Sequence, residues 1–236
     1  MPRNPEHEIT GRLFQPCAEA EALTPTEQIR ACPECGLFFF HCCAHPDTIC
    51  HQRSVVFIDG ACTNNGQNDA AAGYGAAVGV REDQQLSQQF GYAVVTTKQR
   101  ADLIGAVLGI DQGESWWRRE RAHQRQRGAQ HHEKKELIIA TDSEYVIKVS
   151  TETLPRWKQN GFATPDGRGP ANADLFMQID SRVERMHDVL AVGFMHISRE
   201  LNGLAASLAQ RGVEVHREWQ EMERAKMPAY GAFDAL

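Results

Sequence analysis

Two aspartates stand where apolar runs stop. Val55-Val56-Phe57-Ile58 leads into Asp59 and Gly60, and Ile138-Ile139-Ala140-Thr141 leads into Asp142 and Ser143. Each run reads as a buried strand, and Gly60 with Asn64-Asn65-Gly66 supplies turn chemistry after the first. Both carboxylates therefore fall at the carboxyl ends of strands, where open α/β sheets bind ligands. On neighbouring strands they repel unless they share cations. A pair of Mg²⁺ ions about 4 Å apart would serve, one activating an attacking water and the other stabilising a leaving oxygen. Taken singly, each aspartate reads more simply as a turn or N-cap residue, and Asp142 before Ser-Glu-Tyr suits a helix start.

A second group offers softer ligands. Five of the seven cysteines, Cys32, Cys35, Cys42, Cys43 and Cys50, crowd into nineteen residues with His41, His45 and His51 among and beside them. With no apolar export segment in MPRNPEHEIT, that clustering favours metal over disulfides and a reducing compartment. Cys32-x₂-Cys35 is a knuckle suited to Zn²⁺, and Cys32, Cys35, Cys43 and Cys50 are the preferred set, with His45 or His51 as replacements. The alternative is a set of free, reduced thiols beside an apolar strand at Leu37-Phe38-Phe39-Phe40. Zinc is favoured because so short a segment has too little core to fold unaided.

The elements that must hold these residues follow from periodicity. Residues 1–30 are polar and Pro-interrupted, an arm with one short helix around Thr24 to Arg30, and the Cys/His segment ends near Gln52. Strands are predicted at 54–59, 72–80, 88–95, 136–141 and 189–196. Helices are predicted at 98–111, from near Ser143, at 172–186 and at 202–212, with a loop at 160–171. Three consecutive strands followed by alternating helix and strand imply an α/β fold with a mixed five-stranded sheet flanked by helices. Residues 113–135 form a basic insertion with seven Lys/Arg against three Glu. Its arginines, Trp116 and Trp117 suit either a nucleic-acid arm or a solvated helix whose tryptophans pack on the domain. The division is thus 1–52, 53–212, and a C-terminal helix and tail at 213–236.

Composition bounds the function. The 236 residues carry a formal charge of −6, with 42% hydrophobic and 24% charged residues, ordinary for a soluble protein. No global positive field attracts nucleic acid, so a polyanion would need local basic patches or metal ions. No apolar run approaches the length of a membrane span. The expected location is intracellular, nuclear or cytoplasmic.

FIDGACTNNG at 57–66, QRADL at 99–103, IIATDSEYVI at 138–147, NADLF at 172–176 and HISRELNGLAASLA at 196–209 resemble, in order and spacing, the motifs of type 1 ribonuclease H. The resemblance covers residues 53–212. It implies a ribonuclease H-like fold and metal-dependent endonuclease cleavage of the RNA strand of RNA/DNA hybrids by Mg²⁺ or Mn²⁺, leaving a 3′-hydroxyl and a 5′-phosphate. Asp59 matches the first metal-binding carboxylate, Asp102 stands at the second position in place of the family's usual Glu, and Asp142 matches the third. The family's last helix reads Asn-x-x-Ala-Asp, whereas this chain reads Asn202-Gly203-Leu204-Ala205-Ala206. Ala206 cannot ligate, so the two-ion site lacks a ligand and activity is expected to be weak, metal-dependent or absent. Glu200 is the one nearby carboxylate in sequence. His196 matches the histidine that assists water positioning and product release.

The resemblance also assigns substrate contacts. Asn64, Asn65 and Gln99 match positions that touch the hybrid's minor groove, where 2′-hydroxyls mark RNA. Thr97 and Asn172 resemble parts of a DNA-phosphate pocket, and Trp157 matches a tryptophan bordering the DNA strand. Thr153 stands where some members place a second aromatic, and Lys98 replaces a common asparagine. Two alternatives accompany the hydrolase reading: a ribonuclease H fold that has lost catalysis and binds nucleic acid or a protein partner, and a structural module whose N-terminal zinc segment carries the interaction.

Overall fold

The structure, a computed structural model, describes residues 8–89, 96–126, 135–159 and 170–226. Residues 90–95 of the strand expected at 88–95, part of the basic insertion, most of the loop at 160–171 and the end of the tail lie outside the described residues.

The chain begins with β1 Glu8–Thr10, β2 Leu13–Gln15, α1 Ala18–Glu21, α2 Pro25–Gln28, β3 Ile29–Ala31 and β4 Phe38–Phe40. There follow β5 Arg53–Thr63, β6 Ala71–Ala77, β7 Gln85–Gln89, α3 Lys98–Gln126 and β8 Lys135–Thr141. Then come α4 Glu144–Lys148, continued through a π-helical turn at Val149–Thr153 into α5 Leu154–Gln159, and α6 Ala173–Met186, β9 Leu190–His196 and α7 Gly203–Lys226. The nine described strands join one sheet whose spine is β1-β2-β9-β8-β5-β4-β3, with β6 paired to β5 and β7 to β6.

The five central strands form the expected mixed arrangement. β8 runs parallel to both β5 and β9, while β5, β6 and β7 form an antiparallel meander. The N-terminal segment is not a loose arm. β2 pairs with β9 at Leu13↔Phe194, and β4 pairs with β5 at Phe39↔Ser54, so both hairpins extend the sheet. Apart from the Leu37–Phe40 run, which forms β4, apolar residues there are too sparse to show a strand period, and Phe14 and Ile29 are nonetheless buried.

Alternation along β5 divides the core. Val56 and Ile58 face a cluster with Leu103, Val107 and Ile110 of α3 and Leu175, Phe176 and Ile179 of α6. Val55 and Phe57 face a second cluster with Ile138, Met195, Phe14, Ala20, Ile29, Phe40 and Ala205. The helix expected to end near 111 continues to Gln126. Gly113 lets it lie on the sheet, since a Cβ there would come within 2.6 Å of Leu137 Cδ1. Trp116 and Trp117 pack against the first core cluster, and Arg119 and Arg121 lie 5.1 and 5.2 Å over their rings. Among the described residues no helix is long and apolar enough to cross a membrane.

Candidate active site and the cysteine-rich segment

The β5–β8 register ends at Phe57↔Ala140, and two residues further along each strand stand Asp59 and Asp142. Gly60 explains why the aspartate is followed by a break in side-chain bulk. A Cβ at that position would lie 2.4 Å from backbone atoms of Ala101 and Asp102, so only glycine admits α3 this close. That approach delivers Asp102 to Asp59: the Gly60 N–H donates to Asp59 Oδ1 at 2.8 Å and to Asp102 Oδ1 at 3.0 Å. The Ser143 hydroxyl donates to Asp102 Oδ2 at 3.0 Å while its oxygen caps α4.

Lys98, one helical turn before Asp102, places its Nζ 2.9 Å from Asp59 Oδ1 and 2.6 Å from Asp102 Oδ1. Its ammonium bridges the two carboxylates as a cation would. Burial pushes the Asp59 and Asp102 carboxyls above the usual carboxylate range, although Lys98 pulls both down. The nearby charge of Asp142 pushes Asp59 up further. For Lys98, burial works against the charge, but Asp102 and Asp59 outweigh it and hold the ammonium's pKa above its ordinary value. The pocket is therefore built for positive charge.

Asn202, just before α7, fixes the third carboxylate. Its Nδ2 donates to Asp142 Oδ1 at 2.6 Å and to the Ile58 carbonyl at 3.0 Å, tying α7 to both strand ends. Ala206 N–H makes an early hydrogen bond of α7, to the Asn202 carbonyl at 3.0 Å, so its methyl lies one turn beyond that anchor. His196 pairs with Thr141 across β9 and β8, at the same sheet end as Asp142, and is exposed. Glu200 is fully exposed, and its own backbone N–H and Ser198 hold its carboxyl below the usual range.

Of the residues matched to substrate contacts, Asn65, Thr97, Gln99 and, through Arg100, Asn172 gather at the start of α3. Asn65 Oδ1 accepts from Lys98 N at 2.9 Å, Thr97 Oγ1 accepts from Arg100 N at 3.2 Å, and Gln99 is exposed beside them. Asn64 has φ 50° and donates to Asp69 at 2.8 Å. Arg100 links Thr97 to Asn172, donating to Asn172 Oδ1 at 3.0 Å and to both oxygens of Asp174. Trp157 is half-buried, its ring 5.2 Å from that of Phe176, so part of its surface serves the core. Arg100 and the bridging role of Lys98 were not singled out by sequence. The available signal was spacing, because Lys98 and Asp102 are four apart and share a helix face.

The cysteines sort differently from the expected set. Ligand atoms of Cys32, Cys35 and His51 all lie within 4.8 Å of one another, and so do those of Cys42, His45 and Cys50. Cys32, Cys35, Cys43 and Cys50 are not brought together. Cys43 turns toward the second core cluster, its Sγ 3.2 Å from that of Cys17. Burial and Cys17 push its thiol up to about 12.

A mixed sheet with carboxylates at two strand ends and on the first long helix defines an RNase H-type protein. The sequence model of the RNase H family matches residues 51–214, and the chain belongs to that family, whose class is the ribonuclease H-like endoribonucleases. It is 29% identical over 166 residues to the ribonuclease H of Pseudomonas fluorescens, covering 70% of this chain and 94% of that one. It is 31% identical over 160 residues to that of Dechloromonas aromatica, covering 67% and 92%. The ribonuclease H of Schizosaccharomyces pombe is 28% identical over 163 residues, which are 69% of this chain and 54% of that one. Among solved structures, a foamy viral protease–reverse transcriptase in complex with dsDNA shares the fold at a TM-score of 0.51 and 20% identity, over 69% of this chain and 94% of that one.

Proposed function

We propose that this protein hydrolyses the RNA strand of RNA/DNA hybrids at a divalent-cation site, for Mg²⁺ or Mn²⁺, formed by Asp59, Asp102 and Asp142. The observation that carries the reading is the Asp59/Asp102 pair, buried, held by one N–H and bridged by an ammonium, with Asp142 beside it. Hard carboxylate oxygens suit Mg²⁺ or Mn²⁺, and a bound ion would activate water and stabilise the leaving oxygen. Around it, Gly60 N–H and Ser143 hold the carboxylates in place, and Asn202 aims Asp142. His196, exposed at the end of β9, would assist water and product. Asn64, Asn65 and Gln99 offer amides to 2′-hydroxyls, and Thr97, Asn172 and Trp157 face the DNA strand.

Ala206 leaves the site one carboxylate short, so turnover is low in Mg²⁺. A second reading, a hybrid-binding protein that does not cut, is favoured by Lys98 already filling the cation position between two carboxylates.

The test is cleavage of an end-labelled RNA/DNA hybrid in Mg²⁺ and in Mn²⁺ by the unmodified protein and by Asp59→Asn. The expected result is slow scission of the RNA strand, abolished in Asp59→Asn with no loss of thermal stability. Equal cleavage by the variant would sink the site assignment. Tight hybrid binding with no scission in either metal would select the second reading.

A further inference from the structure

The segment 41–52 contains turns and no regular element, and its burial is slight apart from Cys42. Backbone without a ladder or an apolar core needs another restraint. What converges there is sulfur and imidazole. Cys32 receives N–H contacts from Glu34 and Cys35, Cys35 receives one from Leu37, and Cys50 receives one from Gln52. Such amides pull a thiol's pKa down, but burial outweighs them at Cys35, pushed up to about 11, and at Cys50, also raised; they prevail at Cys32. In the other half, Cys42 Sγ lies 3.4 Å from His45 Nδ1.

His51 is oriented from two sides. Its ring stacks on Phe39 at 4.1 Å with an interplanar angle of 6°. Its Nδ1 lies 3.6 Å from Glu120 of α3, and the ring also contacts Cys32. A carboxylate on one nitrogen of a histidine fixes the tautomer and ring direction, the arrangement that presents the other nitrogen to a metal. Glu120 is itself held by Lys135 at 3.0 Å.

We propose that residues 32–51 bind two zinc ions in nested sites, one on Cys32, Cys35 and His51, the other on Cys42, His45 and Cys50, with Glu120 positioning His51. Two sulfurs and one nitrogen in each set match zinc rather than Mg²⁺ or Ca²⁺. Each set supplies three protein ligands among the described residues, leaving one tetrahedral vertex for water. The inner loop is clipped by its own ion. The outer ion joins the knuckle to the start of β5 and, through Glu120, to the long helix of the ribonuclease H fold. Cys17 and Cys43 take no part.

The test is metal content of the purified full chain, with Co²⁺ substitution as a second readout. Two zinc ions per chain are expected, and Co²⁺ titration should develop tetrahedral d–d and thiolate-to-metal bands that saturate at two equivalents. Cys32→Ser/Cys35→Ser and Cys42→Ser/Cys50→Ser should each lose one ion, and Cys17→Ser/Cys43→Ser none. Glu120→Gln should keep both ions at saturation while binding one of them about 10–100-fold more weakly. Saturation of the unmodified chain at one equivalent or none overturns the proposal whether or not the variants fold. So does loss of an ion from the Cys17/Cys43 variant. Neither readout involves nuclease activity.

Discussion

Lys98 and Ala206 alter the charge of the carboxylate centre in the same direction. The family resemblance implies four carboxylates, a formal −4; here three carboxylates and one ammonium give −3 + 1 = −2. Ala206→Asp is therefore expected to raise hybrid cleavage in Mg²⁺ about 10²-fold or more, at least about 2.7 kcal/mol of transition-state stabilisation. A rate left at background in both Mg²⁺ and Mn²⁺ would show that the pocket lacks more than a ligand. Lys98→Ala removes the competing cation. Unit charges 4 Å apart at an effective dielectric near 20 interact by roughly 4 kcal/mol. The Lys98 side chain is 42% exposed, and screening reduces that figure. Calorimetric Mn²⁺ affinity should still rise by about tenfold. Because burial lifts Asp59 and Asp102 above the usual carboxylate range, protons compete with the ion, and affinity in either protein should fall from about pH 7 to about pH 5. Asp59 and Asp142 were legible because a carboxylate ending an apolar run is costly without a cation. Lys98 was not, because its part depends on where a flexible side chain folds back.

The long helix α3 does more than carry Asp102. Its first turns meet β5 at Gly60, its middle packs on α6, and its last described turns bring Glu120 to His51. Glu114 pairs with Arg118 and with Arg185 of α6 at 2.7 and 2.6 Å, so the charges of this stretch are partly spent within the protein. The sequence left Trp116 and Trp117 open between a nucleic-acid arm and a packed helix, and both rings touch the core. Full truncation of a buried Trp costs about 3–5 kcal/mol, so for half-buried Trp116, Trp116→Ala should lower unfolding free energy by about 2 kcal/mol. Hybrid affinity and its salt dependence should change little, since that slope counts phosphate contacts. A variant of full stability with weakened hybrid binding would restore the arm. The end of α3 was misread because Asp111-Gln112-Gly113 carries stop signals. The glycine instead admits Leu137 of the neighbouring strand, a contact no single-sequence pattern displays.

β5 and β8 were readable because buried parallel strands announce themselves as β-branched runs, whereas β7, which has no such run, lies at Gln85–Gln89 rather than at 88–95. Of the outer strands, the one at Leu37–Phe40 was legible as an apolar run, whereas three-residue strands such as Glu8–Thr10 and Leu13–Gln15 take their order from the edges they join. Family similarity begins only at residue 51, which invites removal of everything before it. The packing argues otherwise. Phe14, Ala20, Ile29 and Phe40 cover the face of the sheet formed by Val55, Phe57, Ile138 and Met195, which are 1%, 5%, 0% and 7% exposed. Uncovering an aliphatic or aromatic side chain costs about 1.5–3 kcal/mol, so four of them approach the roughly 5–15 kcal/mol that stabilises a whole domain. α7 shields part of that face through Ala205, so the loss is less than the full sum. A chain starting at residue 53 should therefore be poorly soluble or melt more than about 10 °C below the intact protein, a shift of the order expected for about 3–5 kcal/mol in a chain of this size. Zinc chelation of the intact protein should be milder, because it frees the loop at 41–52 while β2 and β4 stay paired with β9 and β5. Thermal unfolding of the truncated, chelated and untreated proteins separates these outcomes. A truncated chain that melts with the intact one would mean that α7 and the central sheet bury their own core, and that the N-terminal segment rests on the fold without supporting it.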